Sequence, residues 1–200
     1  MVMLTTYRFR WVSLQLQALQ KCRSEEAIME RLGQLPRTLG DLYQELVVKM
    51  ENFEANSDRD LAKNSLSWLL CSHAQLTSEA FLAAVSTRKD GESEAISRDQ
   101  LLDLCCNLVI FDEALDVFRF AHLSVREFLE THELFKSDFI NSRVAEACLI
   151  RIVDATPDIN MEDDTEPSVE VLWYSYVWWG FHIPAASRER TPVTDNLILV

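Results

Sequence analysis

Glycine is what this chain has least of. Its 200 residues hold four, at positions 33, 40, 91 and 180, and only five prolines. A phosphate loop wraps backbone amides and a lysine around a nucleotide, and it needs the pattern GxxxxGK[ST]. None of the four glycines lies in such a pattern, which excludes ATP hydrolysis by a phosphate loop within these residues. Basic charge is short as well, with 19 Lys and Arg against 32 Asp and Glu and a net charge of −13. A surface of that sign repels phosphate backbones and anionic headgroups, so neither nucleic acid nor membrane is expected as a partner. The five cysteines are odd in number and include no CxxC pair, so they do not form a disulfide framework. Their neighbours are apolar, which predicts reduced, mostly buried thiols and a cytoplasmic setting. Residues 1–11 lack the apolar stretch and cleavage site of a signal peptide. The most apolar segment, Val169 to Ala186, still carries Glu170, two tyrosines, His182 and Pro184, too polar for a membrane span.

What is present is helical periodicity. Hydrophobic residues make up 48% of the chain, normal for a folded core. Phe9, Val12, Leu16 and Leu19 predict a helix from about Arg8 to Lys21, and Ser24 caps a second one that ends at Gly33. Thr38 with Asp41 reads as a capping box opening a helix over Leu39, Leu42, Tyr43, Leu46, Val47, Met50 and Phe53. Asn56 to Asp58 breaks and recaps the chain before a buried helix through Leu61, Ala62, Leu66, Trp68, Leu69 and Leu70. Thr77 caps a short helix over Phe81, Leu82 and Val85, Arg88 to Ala95 is a polar loop, and Ser97 caps another helix with Gln100 at the box position.

A β-hairpin follows. Asn107 to Phe111 reads as a strand, Asp112 to Leu115 as an acidic turn, and Asp116 to Ala121 as a strand with Phe118 and Phe120 on one face. Ser124 and Glu127 are then expected to form a capping box for a closing helix. The fold class read from this order is mainly α: a winged helix over residues 35–132, a helix-turn-helix plus a hairpin wing, with flanking helices. Residues 1–34 form a helical segment ahead of it and 133–200 a helical and acidic region behind. In that region Phe139 to Val153 is helical, with Phe139, Val144, Ala147 and Cys148 as core candidates. An acidic, proline-containing linker follows, and then Val169 to Phe181, where six rings crowd one helix. Of these, Trp173, Tyr176, Trp178 and Trp179 are candidates for packing on a partner, an ordinary core helix being the alternative.

FRWVSLQLQAL (9–19), LPRTLGDLYQEL (35–46), SWLLCSHAQLTSEAFLAAVS (67–86) and LCCNLVIFDEALDVFRFAHLSVREFLE (104–130) together resemble fungal NACHT-type signal-transduction ATPases, which often carry ankyrin repeats. The winged-helix part is similar to the domain named after GPI inositol-deacylase. The resemblance spans about Phe9 to Glu130 and, more weakly, the aromatic run ending at His182. It implies a module that packs on a nucleotide-binding core, with that core and ankyrin-type repeats as protein partners. It also implies that His122, within FAHLSVREF, senses the β-phosphate of ADP. A hydrogen bond from imidazole to phosphate contributes about 1.5–3 kcal/mol, roughly tenfold to a hundredfold in affinity. The alternative is that His122 only caps the edge of the core. Because the phosphate loop is missing, ADP or ATP is expected only in the context of a core absent from these residues. The chain reads as a fragment, a truncated product or a decayed paralogue of such an ATPase.

Other chemistries find little support. Cys71, His73 and the Cys105–Cys106 pair lack the spacing of a zinc site, so no metal is expected. No Cys–His nucleophile signature or paired acid and base stands out, and no catalytic residue is assigned. A winged helix on DNA is a rival reading, but here the helix before the hairpin (SRDQLLDLCC) and the wing turn (DEALD) carry negative charge where phosphate should be neutralised. The expectation is a non-enzymatic regulatory and interaction module, the alternative being the C-terminal half of a nucleotide-switched ATPase.

Overall fold

The computed structural model describes residues 11–16, 19–20, 22–33, 35–87, 96–154 and 167–186. Residues 11–16 and 19–20 are helical; the remainder of the helix expected at Arg8 to Lys21, the 88–95 loop and most of the acidic linker lie outside the described residues. The elements then run α1 (Glu25–Gly33), α2 (Leu39–Glu51), α3 (Asn56–Cys71), α4 (Ser78–Val85), α5 (Arg98–Leu104), β1 (Val109–Asp112), β2 (Val117–Phe120), α6 (Leu123–Thr131), a 3-10 turn (Glu133–Phe135), α7 (Ser137–Asp154) and α8 (Pro167–Ala185). This is a mainly helical winged-helix fold with flanking helices: α3, α4 and α5 followed by a two-stranded antiparallel wing.

Most helix starts follow from local side chains. Ser24 Oγ accepts the Ala27 N–H at 3.2 Å, and Thr38 and Asp41 form the complete capping box. Thr77 and Ser97 likewise cap α4 and α5. Such caps each stabilise by about 1 kcal/mol, because they satisfy donors a helix cannot satisfy itself. Two expected starts differ. The N-cap of α3 is Ala55, which has no side-chain acceptor. That of α6 is His122, not Ser124: Ser124 lies inside the helix, and its hydroxyl is taken by the buried Tyr43.

The wing pairs Val109 with Phe120, Ile110 with Arg119, Phe111 with Phe118 and Asp112 with Val117. Its entry and exit need left-handed backbone, and with glycine scarce other residues supply it. Cys106 (φ 50°) and Asn107 (φ 64°) turn the chain out of α5, and Asp116 (φ 52°) closes the hairpin. Asn and Asp tolerate that region because their short side chains bond locally. Asn107 is thus a turn residue rather than the first residue of β1.

The core gathers Leu42, Tyr43, Val47, Leu66, Trp68 and Phe81 with Leu101, Leu108, Phe118 and Val125. Aromatic contacts knit it: Phe81 to Phe118 at 5.2 Å and Trp68 to Tyr174 at 5.0 Å between centroids. Helix α7 buries Ile140, Val144 and Cys148 at i, i+4 and i+8. Phe139 is a correction, being 39% exposed, since its neighbour Ile140 holds the inward face. Helix α8 lies along α7 and also meets α4. Cys105, Cys106 and Cys148 are buried, and none of the five cysteines is joined in a disulfide. Burial pushes the thiols of Cys71, Cys105 and Cys148 up to about 12.

Candidate functional site at the hairpin-to-helix junction

His122 leaves β2 in extended backbone (φ −161°, ψ 152°), the conformation of an N-cap. Its Nδ1 accepts the Ser124 N–H at 3.1 Å and lies 2.7 Å from Ser124 Oγ. Ser124 Oγ in turn lies 2.8 Å from the hydroxyl of Tyr43, a residue 81 positions earlier in α2. Because Nδ1 accepts from a backbone N–H, the geometry assigns the neutral tautomer with its proton on Nε2. The ring is half-buried. Any hydrogen bond that His122 donates to a phosphate is therefore restricted to Nε2, while Nδ1 is committed to starting α6. Tyr43 is itself anchored, 1% exposed and 5.5 Å from the Phe128 ring.

The aromatic candidates belong to a different junction, where α8 crosses the α3–α4 connection. Trp178 stacks on His73 at 5.3 Å and, with Trp179, packs partly against the core. Trp173 and Tyr176 point outward at 50% and 47% exposure.

Two features were missed by sequence reasoning. The first is His182, fully buried, whose Nδ1 lies 2.8 Å from Asn141 Oδ1 and whose Nε2 lies 3.0 Å from the Tyr174 hydroxyl. Asn141 uses its amide nitrogen on Ser137, so Oδ1 accepts from His182 and Tyr174 donates to Nε2. The Tyr174 hydroxyl also accepts the His73 N–H at 3.1 Å. Burial, with a smaller contribution from His73, lowers the His182 imidazole to about 4. No motif marks this residue; it looked like one polar interruption in an aromatic run. The second feature is a cleft beside β2, bordered by Arg119 and Arg126, whose parts lie some 40 or more residues apart in sequence.

Among the described residues no group of three His, Cys, Asp or Glu side chains is arranged to hold a metal ion. Nor is any described helix long and apolar enough to cross a membrane.

Residues 49–142 match the GPI inositol-deacylase winged helix domain. The match runs from the end of α2 into α7 and includes the whole wing and the His122 junction. No curated protein and no solved structure matches the chain. The matched stretch holds Ser124 and His122 but not Tyr43, and α8 lies outside it, packed on α7 and α4.

Proposed function

We propose that the chain is a non-catalytic regulatory and protein-interaction module: the winged-helix part of a NACHT-type signalling ATPase, acting on a nucleotide-binding core and ankyrin-type repeats. The observation that carries this reading is the outer face of α8. Trp173, Tyr176, Val177 and Phe181, spaced i, i+3, i+4 and i+8, are each 47–60% exposed on a helix whose other face buries Val171, Leu172, Tyr174 and Ser175. An apolar stripe of that kind marks a contact surface more readily than a solvated face. The resemblance of FAHLSVREF to the ADP-sensing segment, with His122 half-buried at the start of α6, supports a part for His122 at the nucleotide.

A NACHT core loaded with fluorescent ADP, supplied as a separate chain, tests this reading. Adding the winged-helix chain is expected to slow ADP release, and Trp173→Ser with Phe181→Ser to remove the effect by abolishing complex formation. His122→Asn keeps an N-cap acceptor and should restore fast release without loss of binding. Failure of the wild-type chain to bind any such core or to change release overturns the proposal.

A further inference from the structure

Among the described residues, one edge of the wing carries no partner strand. In an antiparallel pair, successive residues alternately direct their backbone groups toward and away from the partner strand. The Ala121 N–H donates to Leu108 O at 2.9 Å, which sets the phase: 119 and 117 face β1, and 116, 118 and 120 face outward. Asp116 O is taken by the Ser78 N–H at 2.8 Å, which marks where the start of α4 touches this edge. Farther along, the 72–76 segment parts from β2, and a cleft of about 270 Å³ opens between them. No backbone hydrogen bond among the described residues engages Phe118 or Phe120 on that outer side.

The lining has a particular chemistry. Trp68, Leu76, Phe81 and Phe118 form an apolar floor beside the polar Ser72, His73 and Gln75, and among the described residues the only charged ones at the cleft are Arg119 and Arg126. In a chain of net charge −13, no Asp or Glu lines it. Both guanidiniums are held in place. Arg126 donates to Leu70 O at 3.1 Å and to Glu130 at 2.8 Å, and Arg119 donates through Nε to Asp112 at 2.9 Å. A guanidinium has five N–H donors, so each retains capacity for a further carboxylate. The volume falls below the roughly 300–1,000 Å³ of small-molecule sites, which argues against a nucleotide and suits a few residues of extended chain.

We infer that this cleft receives an extended acidic segment of a protein partner, added as a strand to the free edge of β2 with its carboxylate on Arg119 and Arg126. Strand addition draws affinity from main-chain hydrogen bonds at Phe118 and Phe120 and specificity from alternate side chains. Those pointing inward meet the apolar floor, and acidic ones meet the arginines. The α8 stripe meets this lining only where Phe181 touches His73 at 5.8 Å, and the inference is read at Phe118, Phe120 and Arg119, not on α8.

The test uses the full chain and a fluorescein-labelled alternating valine–glutamate pentapeptide, with valine–lysine and N-methylated glutamate versions as controls. Fluorescence polarisation should show saturable binding of the glutamate peptide, at least tenfold weaker for either control. Arg119→Gln, at an exposed side chain, should lower affinity about tenfold without unfolding the protein. Bound peptide should slow amide exchange at Phe118 and Phe120. Absence of saturable binding, equal binding of the lysine or N-methylated peptide, or unchanged exchange at those amides overturns the inference. Unchanged affinity in Arg119→Gln would do the same, with Arg126→Gln as the second variant only if its melting temperature is retained.

Discussion

Two histidines end two hydroxyl networks, one within the winged-helix domain and one behind it. Tyr43, Ser124 and His122 join α2 to the start of α6; Tyr174, His182 and Asn141 join α8 to α7. In the first, one imidazole nitrogen accepts a backbone N–H and the ring stays half-buried. In the second both nitrogens are spent on buried partners and nothing of the ring reaches solvent. The difference is one of depth: His182 is enclosed with both nitrogens bonded, whereas His122 sits half-buried at its junction. Chemical identity does not distinguish them; the depth at which each ring sits does.

The comparison breaks if removing His182 is harmless. His182→Ala leaves a cavity and strips Asn141 Oδ1 of its buried donor, a loss of about 2–4 kcal/mol expected in denaturant unfolding. A change as small as that of a surface residue would mean α8 is not locked through this network.

Acidity should separate the two networks more finely. Folded, His182 stays neutral down to about pH 4, whereas the unfolded chain protonates it near 6.5. Between those values the unfolded state binds more protons, so stability falls as pH drops from about 6.5 towards 4. The contribution lost is roughly 3 kcal/mol. The slope should flatten in His182→Gln, and an identical slope in wild type and variant would assign the acid sensitivity elsewhere.

The smallest effect belongs to His122. His122→Ala removes an N-cap acceptor and should cost about 1 kcal/mol, while His122→Asn should be within about 0.5 kcal/mol of wild type or better. Thermal melts of the two variants decide it. A loss of several kcal/mol in the Asn variant would make the residue a core element and weaken its proposed part at a nucleotide.

The helix-turn-helix and the wing were legible because their signals are local. Capping residues stand within three positions of the donors they satisfy, as at Thr38–Asp41 and Ser97–Gln100, and strand alternation shows within four to six residues. Ser124 misled for the same reason. Its spacing to Glu127 is that of a capping box, but a buried tyrosine 81 positions away claims the hydroxyl. Phe139 misled because helical periodicity gives a face without saying where its boundary falls. Of the four aromatic candidates, Trp173 and Tyr176 are exposed, while Trp178 and Trp179 are half-covered by the chain's own core. The rotation of α8 on α7 makes that division, and composition carries no record of it.

By itself the sequence determined that this protein is mainly helical with a hairpin, where most helices start, that these 200 residues hold no phosphate-loop pattern, and that the wing turn is acidic. These follow from residue type and short spacing. Tertiary structure alone decided which nitrogen of His122 starts α6, that His182 is buried and neutral, and that two arginines and no described carboxylate line one cleft of an acidic chain. Each of these joins residues tens of positions apart: 81 between Tyr43 and Ser124, 41 between Asn141 and His182, and 101 between His73 and Tyr174. Contacts over such separations form only when packing brings the elements together, and no local pattern encodes them.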